Sequence, residues 1–128
     1  GNYGAECLAN ALQDDMTLIH LDLGANHIGA QGLRHLALAL ANNTTLNVLN
    51  LTSNKIENNG VQYLASILSN NTTLATLNLG SNRIGPQGIQ YLADALEKGA
   101  VLSTLTLSNN QIGHDGIVHL ANVLKNNQ

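Results

Sequence analysis

Large rings are almost missing from this chain: 128 residues hold three Tyr and neither Phe nor Trp. A core of this size normally takes several large rings. Its interior must instead be aliphatic, mainly leucine, in a regular lattice. Charge is equally sparse. Asp, Glu, Lys and Arg make up 10% of the residues, against about a quarter in an ordinary globular protein. The formal net charge of −3 gives no polyelectrolyte argument for nucleic acid or an anionic membrane, so neither is expected as a partner. A single Cys excludes an internal disulfide framework and suits a reducing compartment. No run approaches the roughly 18 apolar residues of a membrane span. The opening GNYGAECLANAL lacks the basic start and long apolar stretch of a secretory signal. Disorder is excluded as well, because 44% of the residues are hydrophobic and the net charge is low.

What the chain does have is a repeat. Four segments align without a gap, starting at Leu18, Leu46, Leu74 and Leu102, so each step is 28 residues. The ninth position is always Asn: Asn26, Asn54, Asn82 and Asn110. The fifteenth is always Gly: Gly32, Gly60, Gly88 and Gly116. Counting back one step lands on Gly4 and Leu8. Residues 1–17 therefore read as the second half of an earlier repeat, followed by repeats at 18–45, 46–73, 74–101 and 102–128. Within LxxLxL, the last two leucines (Leu21 and Leu23) point to one strand face, and Asp22 between them to the other. The spacing then changes to three and four at Leu33, Leu36, Ala37 and Leu40, which is one stripe of a helix.

LxxLxLxxN-x-I followed by G-h-xx-L-A-x-x-L resembles leucine-rich repeats of the ribonuclease-inhibitor subtype. The subtype occurs in NOD-like receptors, in the Ran GTPase-activating protein and in eukaryote-like bacterial effectors. The resemblance implies an α/β fold, a right-handed horseshoe segment with a concave parallel sheet and convex helices. Neither element of a repeat buries its apolar face alone, so the repeats must stack.

The Asn column reads as an internal ladder. The chain turns inward after each strand and leaves buried backbone groups without partners, and an Asn amide both donates and accepts. The four glycines sit at helix entry, where a side chain would crowd either the turn or the neighbouring repeat. Pro86 suits the first turn of a helix.

Catalytic chemistry finds little support. There is no GxSxG elbow and no HExxH, so no catalytic residue, metal or cofactor is expected and the chain reads as a non-enzyme. Cys7, His35, Tyr63, Tyr91 and His119 share one helical column, read as a half-exposed convex stripe. His20, Asp22 and His27 could in principle hold a zinc; the reading preferred is three unrelated surface residues. Asn42, Asn43, Asn50, Asn70 and Asn71 satisfy N-x-[ST] and are read as bare turn residues.

The concave columns remain. Position three gives His20, Val48, Thr76 and Thr104; position five gives Asp22, Asn50, Asn78 and Thr106. Position ten gives His27, Lys55, Arg83 and Gln111. Parallel strands put like beside like, so an Asn50–Asn78 bond is one expectation. Lys55 and Arg83, one repeat apart, are the best candidates for docking an acidic partner. The expected function is recognition of a protein partner on this face, through His20, Asp22, Asn50, Lys55, Asn78 and Arg83. The chain would be part of a larger intracellular receptor, regulator or effector, in the cytoplasm, or in host cytoplasm for a secreted effector. The alternatives are regulation of a GTPase and a structural, self-associating segment. Neither end carries a polar cap by sequence, so a longer array, an unpaired edge at Leu102–Leu107 and end-to-end association are expected.

Overall fold

The computed structural model describes residues 1–126. In chain order the elements are α1 (Asn2–Gln13), β1 (His20–Asp22), α2 (Ala30–Asn42), β2 (Val48–Asn50) and α3 (Glu57–Leu68). They continue with β3 (Thr76–Asn78), α4 (Pro86–Glu97), β4 (Thr104–Thr106) and α5 (Gly113–Asn126). The expected alternation of strand and helix is what the chain forms. Asn126 closes α5, and Asn127 and Gln128 lie outside the described residues.

The strands form one parallel sheet in the order β1-β2-β3-β4. Each residue sits opposite its repeat equivalent: Leu21 by Leu49, Leu49 by Leu77, Leu77 by Leu105. The register therefore follows the sequence period. Each helix packs on the next in sequence. Between sheet and helices lies a core of leucine and isoleucine, in which Leu33, Leu36, Leu49, Leu51, Leu64 and Leu77 are buried. Leucine with one preferred geometry per repeat replaces the missing rings, as the composition required.

The glycine question has a definite answer: both reasons hold. A Cβ on Gly60, Gly88 or Gly116 would meet the Cγ2 of the isoleucine four residues earlier at 2.6 Å. At Gly32 the same contact, with Ile28, is 2.9 Å. At two of them the preceding repeat closes the other side: the same Cβ would lie 2.7 Å from Asn2 Oδ1 at Gly32 and 2.7 Å from Asn58 Oδ1 at Gly88. Real Cβ atoms do not approach that closely, so the helix can pass its neighbour only as glycine.

The NNTT loops do more than turn the chain. Asn43 and Asn71 are 4% and 6% exposed. Asn43 Oδ1 accepts from Thr45 N at 3.0 Å and Leu46 N at 2.7 Å, and Asn71 Oδ1 from Thr73 N and Leu74 N. Asn71 Nδ2 donates to Leu40 O of the previous repeat at 2.9 Å. A second pair of asparagines thus joins α2 to β2 and α3 to β3. Asp15 holds the same place in the first joint, accepting from Thr17 N and Leu18 N at 2.7 Å. In the last joint that place is Gly99, with φ +103. Gly99 N bonds to Leu96 O and Ala100 N to Ala95 O, the paired pattern of a glycine helix stop.

Strand β4 pairs only with β3 among the described residues and is an edge. Leu102, Leu105 and Leu107 are half-buried there, although their equivalents Leu46, Leu49 and Leu51 are buried. Leu124 occupies the repeat position of the buried Leu40 and Leu68, yet it is 55% exposed, because no further repeat covers it among the described residues.

Candidate partner-binding face

The inward asparagine row comes first, because it fixes the turns that present the face. Asn54 Nδ2 donates to Leu23 O at 3.0 Å and to Leu51 O at 2.9 Å. Its Oδ1 accepts from Asn26 N at 3.1 Å and Ile28 N at 2.9 Å. Asn110 repeats this set two joints on, donating to Leu79 O and Leu107 O and accepting from Asn82 N and Ile84 N. Asn82 is fully buried and donates to Leu51 O, Leu79 O and Gly80 O. Asn26 is exposed, and its amide donates to Gly24 O at 2.9 Å.

The turns after the strands hold the left-handed backbone on residues other than glycine. Ala25, Ser53, Ser81 and Asn109 have φ of 56, 57, 55 and 56. This lets their amides reach across the joint: Ala25 N bonds to Thr52 O, Ser53 N to Gly80 O and Ser81 N to Ser108 O, each at 2.9 Å. Further along, the turn differs in alternate repeats. His27 and Arg83 are left-handed, at φ 55 and 59, with Gly29 and Gly85 extended behind them. In the second and fourth repeats the left-handed residue is two places later, at Glu57 (φ 58) and Gly113 (φ 69). Asn2 Oδ1 accepts from Gly29 N, and Asn58 Oδ1 from Gly85 N at 2.8 Å, so alternate helices are capped from the repeat before. Sequence reasoning missed Glu57 and Asn58. The available signal was that Glu57 stands where the other repeats have Gly29, Gly85 and Gly113.

On the outer sheet face, the register brings Asp22, Asn50 and Asn78 into one row. Each folds its oxygen onto the backbone two residues on: Asp22 Oδ1 to Gly24 N, Asn50 Oδ1 to Thr52 N, Asn78 Oδ1 to Gly80 N. Asn50 Nδ2 donates to Asp22 Oδ1 at 3.0 Å. Asn50 therefore pairs with Asp22 instead of Asn78, because the carboxylate is the stronger acceptor. The Gly24 amide, followed by the Asn50 amide, holds the Asp22 carboxyl below its ordinary pKa.

His20, His27, Lys55 and Arg83 are all exposed. Lys55 and Arg83 are not an equivalent pair. Lys55 N donates to Ile28 O in a bridge between Gly29 and Lys55, while Arg83 stands on a left-handed residue. Arg83 Nη1 also lies 3.9 Å from Glu57 Oε1, an exposed ion pair of little energetic weight. Among the described residues no group of three or more His, Cys, Asp or Glu is placed to hold a metal, which covers His20, Asp22 and His27. On the helical side, Tyr91, Ser66, Asp94 and Lys98 border a cavity of about 190 Å³. Of the helical column, Tyr63 and Tyr91 are half-buried, and Cys7 and His119 are exposed. No helix of the described residues is long and apolar enough to cross a membrane.

This face is polar, with the side-chain oxygens of Asp22, Asn50 and Asn78 turned onto its own backbone.

The model of a family described as TMOD/LMOD Leucine-rich domain matches residues 5–128. Among solved structures, one titled leiomodin-1 actin-binding site 2 (ABS2) superposes with a TM-score of 0.87. The identity is 24%, over 93% of this chain and 71% of that one. A tropomodulin C-terminal domain from Caenorhabditis elegans superposes with a TM-score of 0.59 at 17% identity, over 96% and 92%. No curated protein sequence matches the chain.

Proposed function

The chain belongs to the TMOD/LMOD leucine-rich domain family, a non-enzymatic leucine-rich-repeat module, and from that premise we propose that it binds actin. The observation that carries this reading is the likeness, across nearly the whole chain, to a domain named for its actin-binding site. The family differs from those the sequence resemblance named, although the repeat architecture is the one expected. A cytoplasmic location goes with this reading, as does the ribonuclease-inhibitor-like character of the repeats, which rests on the 28-residue step and the full helices.

The contact surface is the outer sheet face around His20, Asp22, Asn50, Lys55, Asn78 and Arg83. Its rim cations suit an acidic patch, while the Asp22–Asn50 row offers a carboxylate and amides held in fixed orientation. Titration of the labelled chain with purified monomeric actin tests the reading, and saturable binding is expected. The double variant Lys55→Glu, Arg83→Glu should weaken it and leave the melting curve in place. Undiminished binding by that variant would move the site to the helical column of His35, Tyr63, Tyr91 and His119. No binding by the parent chain would sink the actin reading.

A further inference from the structure

Glu57 is the twelfth residue of its repeat, a place that the other three repeats give to Gly29, Gly85 and Gly113. Its backbone is left-handed, with φ 58, so a side chain stands where glycine would be free of strain. The fold does not account for that side chain. Its charge partner, Arg83 Nη1, lies 3.9 Å away, and both side chains are more than half exposed. An ion pair of that kind stabilises by less than the strain costs. The turn is nonetheless firmly held, with a full repeat on either side. Ser53 N bonds to Gly80 O at 2.9 Å, Lys55 N to Ile28 O at 2.8 Å and Glu57 N to Asn82 O at 3.0 Å. Ile56 is buried, and Asn58 Oδ1 accepts from Gly85 N at 2.8 Å and Gly88 N at 3.0 Å. The neighbours over-determine the turn, the condition under which a strained residue persists. We propose that Glu57 is a specificity-determining residue of the actin contact, its carboxylate receiving a Lys or Arg of actin that stands beside the acidic groups met by Lys55 and Arg83. The inference rests on the actin reading and narrows it, from an acidic patch to one of mixed charge.

The charges on this rim specify the partner. Lys55 and Glu57 share one turn, and Arg83 stands on the corresponding turn of the next repeat. Their complement is a pair of acidic groups with a cation beside them. A surface that is merely acidic would meet Glu57 as a like charge next to the two cations that attract it. Like-charge contact of this kind turns away wrong partners. The carboxylate is also free to take an outside cation. Its 3.9 Å separation from Arg83 is well beyond the roughly 2.7–2.9 Å of a charge-assisted hydrogen bond, so neither group is committed to the other. Because the backbone under Glu57 is already fixed, binding has only the side chain left to order. The strain at Glu57 is thereby tied to a use: it holds a carboxylate at a rim position that is bare glycine in the other repeats.

The test titrates the parent chain and Glu57→Gln with purified monomeric actin, at low and at high salt. The amide keeps the size of the side chain and removes its charge. Glu57→Gln should bind more weakly at low salt, by about twofold to fivefold, the range of an exposed charge pair. The gap should narrow at high salt, because exposed charges are screened. Its melting curve should stay close to that of the parent. Glu57→Gly should lose at least as much affinity while its urea midpoint rises, a split that a purely structural role would not produce. Stronger binding by Glu57→Gln would overturn the proposal, since Glu57 would then only mask Arg83 from an acidic patch. Equal binding at low salt would overturn it too, as would a loss that high salt leaves undiminished. Binding by the parent with no loss in Glu57→Gln removes this inference alone. No binding by the parent removes the actin reading and this inference with it.

Discussion

At the scale of single residues, Glu57 is the clearest conflict between sequence and backbone. Its φ of 58 costs about 1–2 kcal/mol for a residue with a Cβ. Glu57→Gly removes that cost, but gives back about 0.4–1 kcal/mol of unfolded-chain entropy and a weak ion pair with Arg83. A net gain of about 0.5 kcal/mol is expected from these opposing terms, read as a higher urea midpoint. Lys55→Gly is the control. Its backbone is not left-handed, so only the entropy loss remains and the midpoint should fall. The inward row was legible from the recurring Asn alone, and its bonds set a second expectation. Asn54→Ala strands the Asn26, Ile28, Leu23 and Leu51 groups it satisfies and should cost about 1–3 kcal/mol. An unchanged urea midpoint would refute that role. Titration adds a third. Hydrogen bonds hold Asp15 and Asp22 below the ordinary 3.8, Asp15 from the backbone amides of Thr17 and Leu18, Asp22 from the backbone amide of Gly24 and then the side-chain amide of Asn50. The folded state thus binds fewer protons than the unfolded, and this stability is full above the unfolded value. It is lost as pH falls through the folded-state pKa. Asp15→Asn, which copies Asn43 and Asn71, should flatten the acid limb of a stability-against-pH curve. A limb as steep as in the parent would assign the loss to other carboxyls.

Elements were the most legible scale, and their joints the least. A strand-period pattern followed by a helix-period pattern, repeated in register, is enough to place four strands and five helices among the described residues. The second asparagine row was hidden because NNTT reads equally well as a solvated turn. Only packing shows that Asn43 and Asn71 are buried while Asn42 and Asn70 are exposed. Alternation of the turn was hidden for a different reason. Gly29, Gly85 and Gly113 look alike in sequence, yet only Gly113 is left-handed. The final helix-to-strand joint uses a different device, Gly99 at φ +103, where the other joints use Asp15, Asn43 and Asn71. Gly99→Ala puts a Cβ on a left-handed residue in otherwise open space. Its cost is therefore backbone strain alone, about 1–2 kcal/mol. A thermal melt that does not shift would mean that the turn relaxes to another conformation.

On the scale of the whole molecule, repeats that touch only their neighbours make stability a sum of local terms and joints. The interior joints are complete. Asn54 and Asn82 are buried, and the leucines of β2 and β3 are almost wholly covered. Among the described residues β4 has one unpaired edge, Leu105 and Leu107 are half-buried, and Ile117 and Leu124 are exposed. Opening the last repeat exposes little further apolar surface, so its free energy should be well below that of global unfolding. Native-state hydrogen exchange checks this directly. Leu51 N, Leu79 N and their neighbours in β2 and β3 should exchange only with global unfolding, and the amides of β4 and α5 much earlier. Denaturant should speed the inner amides steeply and the outer ones weakly, because opening the last repeat alone uncovers less surface. Truncations should follow the same order. Leu77→Ala, in the interior, should cost about 2–5 kcal/mol, and Leu105→Ala clearly less, since half of its burial is already missing. Equal costs at the two sites, or exchange of β4 at the rate of β3, would show that the end repeat is locked to the rest as one cooperative unit.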